Sequence, residues 1–89
     1  MSPTAWDFRN RLMAILNGAR HSGKPYVDIE SGNLHTQVGG YSNPNDRMSV
    51  CCEVMRSMMR VGDSVLKEPM SEQDATLTIR YIAETTSTH

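Results

Sequence analysis

The 89-residue sequence has no apolar run of the roughly eighteen residues that a membrane-spanning helix needs. Asp7, Arg9 and Arg11 interrupt the apolar pattern near its start, which is not the pattern of a signal peptide. Cysteine is scarce: there are two, Cys51 and Cys52, side by side. Neighbouring helical positions point about 100° apart, so a bridge between them is geometrically poor. Two reduced thiols fit a reducing compartment, and a cytoplasmic location is expected. Neither the Cys-x2-4-Cys nor the paired-His spacing of a zinc site occurs. His35, on a short surface helix, is expected to be solvated rather than a ligand. There is no Gly-x-Ser-x-Gly, no phosphate loop and no dinucleotide fingerprint. The sequence therefore predicts no catalytic residues, no metal and no cofactor. An excess of either charge is lacking too. Nine Lys and Arg stand against ten Asp and Glu, for a formal charge of −1. That argues against strong, sequence-blind nucleic-acid binding, which rests on phosphate neutralisation, but leaves room for a local basic patch.

What is present is one sharply two-faced stretch, Arg47 to Arg60. Wound as a helix, it places Met48, Cys51, Cys52, Val54, Met55, Met58 and Met59 in one arc of roughly 160°. Ser49, Glu53, Arg56, Ser57 and Arg60 fill the opposite arc. The apolar arc predicts a core helix built from soft, adaptable side chains. It would also raise the cysteine pKa values and blunt their reactivity. The polar arc is either a solvated face or a binding face.

The rest of the chain orders itself around that helix. Ser2-Pro3 predicts a helix start, with Ser at the cap and Pro at the first helical position. Ala5, Phe8, Leu12, Ile15, Leu16 and Ala19 then share a face. Trp6 and Met13 lie on a neighbouring flank and are expected to widen the buried stripe. The other reading makes them an exposed patch for a partner, a second copy of the chain included. Arg20, His21 and Gly23 mark the helix end, and Lys24-Pro25 confirms it. Tyr26 to Glu30 alternates as a short edge strand. Ser31 to Val38 reads as a short helix capped by Ser31 and stopped by Gly39-Gly40. Tyr41 to Asn45 is a turn-rich loop, with Asn43 or Asn45 capping the next helix. Gly62 is the expected left-handed residue after that helix. Ser64 to Glu68 reads as a short strand stopped by Pro69, Ala75 to Ala83 alternates, and the two make a hairpin. Residues 1–83 read as one α+β domain, three helices on a small antiparallel sheet of two to three strands. Glu84 to His89 read as a frayed polar tail.

Helix, strand, helix, long amphipathic helix and hairpin: this order resembles the winged helix-turn-helix superfamily over nearly the whole chain. The resemblance rests on element order and patterning rather than on a motif. It implies a DNA-binding protein, such as a transcriptional regulator, whose third helix enters the major groove. Ser49, Glu53, Arg56, Ser57 and Arg60 would face the groove, with types suited to bases or phosphates. Arg47, Lys24 and Arg20 would hold the backbone. The hairpin would be the wing, but its tip carries Glu68, Glu72 and Asp74, which phosphates repel. Winged helices also serve as protein-binding and dimerisation modules. A protein-interaction adaptor using the Trp6/Met13 flank or the Tyr41 loop is the alternative.

Overall fold

A computed structural model describes residues 4–38, 48–70 and 75–83. The first helix, α1, runs Ala5–His21. Its cap is Thr4, two residues past the expected cap Ser2, which lies outside the described residues. Thr4 Oγ1 accepts from the Asp7 N–H at 3.3 Å, and Asp7 Oδ2 accepts from the Thr4 N–H at 2.8 Å. This reciprocal pair satisfies two N–H groups that the first helical turn leaves over. At the other end, the Lys24 N–H donates to Ala19 O and the Gly23 N–H to Arg20 O. Gly23 takes φ +76°, so α1 closes on the Schellman turn that its sequence predicts.

Strand β1, Tyr26–Glu30, runs directly into α2, Ser31–Val38. Ser31 is therefore the first residue of the helix and not a side-chain cap. It is fully buried, and its hydroxyl has no partner among the described residues. The α2 terminus is satisfied by carbonyls from across the fold instead. The Ser31 N–H donates to Leu77 O at 2.8 Å and the Gly32 N–H to Ala75 O at 2.9 Å. That close approach needs a residue without a side chain, because a Cβ on Gly32 would stand 3.0 Å from Ala75 Cβ and its carbonyl oxygen. Gly39-Gly40, the Tyr41 loop and both candidate caps of the next helix lie outside the described residues.

Helix α3 is Met48–Ser57. Met48, Cys51, Cys52, Val54 and Met55 are buried, and Met58 and Met59 pack against the same core from just beyond the helix. The last carbonyls of α3 are taken up one by one. Val54 O accepts from Met58 N–H and the Ser57 hydroxyl, Arg56 O accepts from Met59 N–H, and Met55 O accepts from the Tyr81 hydroxyl at 2.8 Å. Strands β2, Ser64–Lys67, and β3, Thr78–Ile82, follow.

The sheet is antiparallel in the order β1-β3-β2, so β1 is an edge strand as expected and β3 is the centre. Leu77, Ile79, Tyr81 and Ala83 all point into the core, the alternation that the sequence predicts. Opposite them, Arg80 pairs with Asp28, its direct cross-strand partner, at 2.8 and 3.1 Å, and covers the Tyr26 ring at 4.0 Å. This outer cluster pins the register, since a slip of one residue would separate the pair. The architecture is α+β, three helices with a three-stranded antiparallel sheet. Phe8, Leu12, Leu34, Met55 and Tyr81 meet in one core. No helix among the described residues is long and apolar enough to cross a membrane.

Three expectations are corrected here. His35 is buried rather than solvated, with its ring 5.6 Å from that of Phe8. α2 packs against α1, α3 and β1 at once, so it buries more than one side of itself. Trp6 and Met13 do not widen the buried stripe: they are 66% and 48% exposed. At 100° per residue they stand roughly 120–140° from the line through Phe8, Leu12 and Ala19. Ala5, placed on the buried face, is also exposed.

The Tyr81 hydroxyl gives a direct test of the core. Tyr81→Phe leaves Met55 O without its donor in a buried place, which costs about 1–3 kcal/mol. Urea unfolding should show a lower midpoint at an unchanged slope. Burial, and then the charge of Asp63, push the Tyr81 hydroxyl above its ordinary 10.0. The unfolded chain therefore ionises first, and stability falls as pH rises past that ordinary value. The same titration in Tyr81→Phe should show a shallower alkaline limb. Cys51, which burial pushes up to about 12, adds to the same limb.

Candidate nucleic-acid interface

Ser49, Glu53, Arg56 and Ser57 are all exposed on α3, opposite its buried face. Ser49 lies in the first turn, where the helix dipole favours an anion. The Ser57 hydroxyl turns back to Val54 O at 2.8 Å, so its proton is engaged within the helix. Arg47 lies outside the described residues.

Arg60 is not on the helix. The last α-helical bond is Met58 N–H to Val54 O, and Met59 N–H tightens onto Arg56 O. A separate turn follows, built by Asp63. Its Oδ2 accepts from the Arg60 N–H at 2.8 Å, while its own N–H donates to Arg60 O at 3.0 Å. Gly62 sits inside that turn at φ +100°, not at the helix cap that the sequence suggests. Asp63 Oδ1 also accepts from the Ile82 N–H at 2.7 Å. One carboxylate thus fastens the α3–β2 turn to the end of β3.

Arg56 is exposed but engaged. Its Nη2 donates to Glu68 Oε1 at 2.7 Å, with 44% and 65% of the two side chains exposed. The hydrogen bond raises the Arg56 pKa and lowers that of Glu68. The chain returns through β2 and delivers this partner, Glu68, from the strand's far end. Glu72 and Asp74, the other acids of the hairpin tip, lie outside the described residues.

The remaining cations divide between places. Arg20 and Lys24 lie at the α1 terminus, and Arg20 Nη1 donates to Asn17 Oδ1 at 3.2 Å. The Ala83 N–H donates to Pro25 O, which brings the end of β3 beside the residue that follows Lys24. Asp63 ties the Arg60 turn to that same end. Lys24 and Arg60 therefore share one end of the sheet, while Arg56 stands with Glu68 toward the other. The fold joins Ser49, Glu53, Arg56 and Ser57 on one face and does not extend that face into a continuous basic patch. Glu68 and Asp63 are the site residues that sequence reasoning missed in these roles. A Gly-Asp pair just after a helix was the available signal for Asp63. Pairing across 12 residues left no signal for Glu68.

Among the described residues, no three of His, Cys, Asp and Glu come together as a metal set. Comparison with protein-family models, curated proteins and solved structures finds no match.

Proposed function

We propose that this chain is a winged-helix-like, DNA-binding domain of the cytoplasm that presents the outer face of α3 to the major groove. One observation carries the reading: α3 buries one side completely and turns Ser49, Glu53, Arg56 and Ser57 outward together. The β2–β3 hairpin that follows supplies the wing of the resemblance, and it reaches α3 through Glu68. Carboxylates beside the arginines hold the general attraction to phosphate low, so base contacts rather than charge would supply most of the discrimination. A regulator of transcription uses such a balance, because weak non-specific binding leaves the cognate site to decide occupancy.

The test is binding of fluorescently labelled duplex DNA over a salt series. Counterion release gives affinity that falls with salt, with a slope set by the number of phosphates engaged. Lys24→Ala should weaken binding evenly across sequences and reduce that slope by about one unit. Absence of binding at low salt rejects the reading.

The second reading is a protein-interaction module without nucleic-acid binding. The exposure of Trp6 and Met13 favours it, since an aromatic and a methionine left in water are typical interface anchors. Flat or absent DNA binding transfers the function to that flank.

A further inference from the structure

The outward flank of α1 carries a pattern that complements itself. Trp6, Met13 and Arg20 follow each other at steps of seven residues. At 100° per residue a step of seven returns to within about 20° of the same direction, so the three form one stripe. Trp6 and Met13 are exposed. Arg20 is held along the same flank by its bond to Asn17, one turn earlier. Arg9, Asn10 and Asn17 border the stripe and are exposed, a polar rim around an apolar centre.

We infer that this stripe binds a second copy of the chain, with the two α1 helices antiparallel about a twofold axis at Met13. Under that symmetry Met13 meets the partner's Met13. Trp6 and Arg20 each lie about 10.5 Å along the helix from it, in opposite directions, so each Trp6 meets the partner's Arg20. A guanidinium over an indole face is the strongest of the cation–π pairings. The contact occurs twice, once on each side of the axis. The stripe answers its own chemistry only in this antiparallel setting. A parallel pairing would oppose Trp6 to Trp6 and Arg20 to Arg20, setting two like charges together. Arg20 then belongs to the dimer seam and leaves the set of DNA backbone contacts. The proposal touches the DNA reading only at Arg20, because no residue of α3 takes part in it.

Sedimentation equilibrium of the whole chain, from about 1 µM to about 1 mM, reads the result as a mass that rises with concentration. The mass should climb from the 10.0 kDa of one chain toward twice that. Trp6 is the sole tryptophan, so its emission should move to shorter wavelength over the same range. Met13→Glu sets two carboxylates across the axis and should hold the mass at one chain, with an unchanged far-ultraviolet circular dichroism spectrum because the site is exposed. Arg20→Ala should weaken association about tenfold or more. Trp6→Glu and Trp6→Lys test the register: both lose the ring, but only the glutamate offers the partner's Arg20 an opposite charge. Tighter association of Trp6→Glu than of Trp6→Lys supports the antiparallel pairing. Equal or reversed order, or a one-chain mass of the unaltered protein at every concentration, overturns it.

Discussion

Met55→Asp abolishes cooperative unfolding. Met55 is fully buried at the middle of the core, between α3 and the central strand, and its carbonyl holds the Tyr81 hydroxyl. Among the described residues no Lys or Arg is buried in the core to pair with an aspartate carboxylate there. Burying an unpaired charge costs several kcal/mol, against a total stability of roughly 5–15 kcal/mol for a domain. Protonating the carboxylate does not rescue the fold, since it still leaves a polar group in an apolar site and a smaller side chain in a methionine's space. Circular dichroism in urea should show no sigmoidal transition. Met55→Leu conserves volume and should keep one, at a cost of less than about 1.5 kcal/mol. A Met55→Asp transition that overlays the unaltered protein's would remove Met55 from the centre of the fold.

The second large effect concerns DNA. Arg56→Ala should cost about 1–3 kcal/mol of affinity and relax base preference if Arg56 is bidentate to guanine. Glu68→Gln should act in the opposite sense. It removes the carboxylate that holds Arg56 at 2.7 Å, and it takes a negative charge from the face proposed to meet phosphate. Glu53→Gln removes a negative charge from the same face, but breaks no pair with Arg56. It should strengthen non-specific binding without changing base preference. In the double variant, Arg56→Ala with Glu68→Gln, the gain from Glu68→Gln should shrink, because part of it acts through the freed arginine. Fluorescence anisotropy against a cognate and a scrambled duplex separates these cases. Unchanged affinity in the Arg56, Glu53 and Glu68 variants would send the functional assignment to the α1 flank.

The alternating strands and the two longer helices were legible in the sequence because each buries one face only, while α2 was legible from its flanking residues. Tyr26 to Glu30 forms β1 and Ser31 to Val38 forms α2 within the bounds that their patterns suggest. The core side of α3 came from the same periodicity. Three features were not legible, for physical reasons. His35 is buried because α2 sits among three neighbours, a tertiary circumstance that helical period alone does not encode. Trp6 and Met13 are apolar by type, but a helix against a small core needs only part of its circumference covered. Arg60 continues the polar pattern of α3, yet Asp63 captures its N–H and ends the regular structure first. The candidate interface followed the same division: which residues share the outer face was readable, while the engagement of Arg56 by Glu68 depends on where β2 ends.

The placement of β3 at the centre of the sheet has a consequence for how the chain comes to be folded. β3 is the last of the three strands in chain order, and both other strands bond to it. During synthesis β1 and β2 therefore emerge with no mate, and no part of the sheet can zip until residues 78–82 arrive. Asp28 waits 52 positions for Arg80. Closing such distant pairs is slow relative to helix formation, so the helices would gather first. For that interval α3 keeps its soft methionine face uncovered by strand, an invitation to chaperones that the finished protein no longer extends.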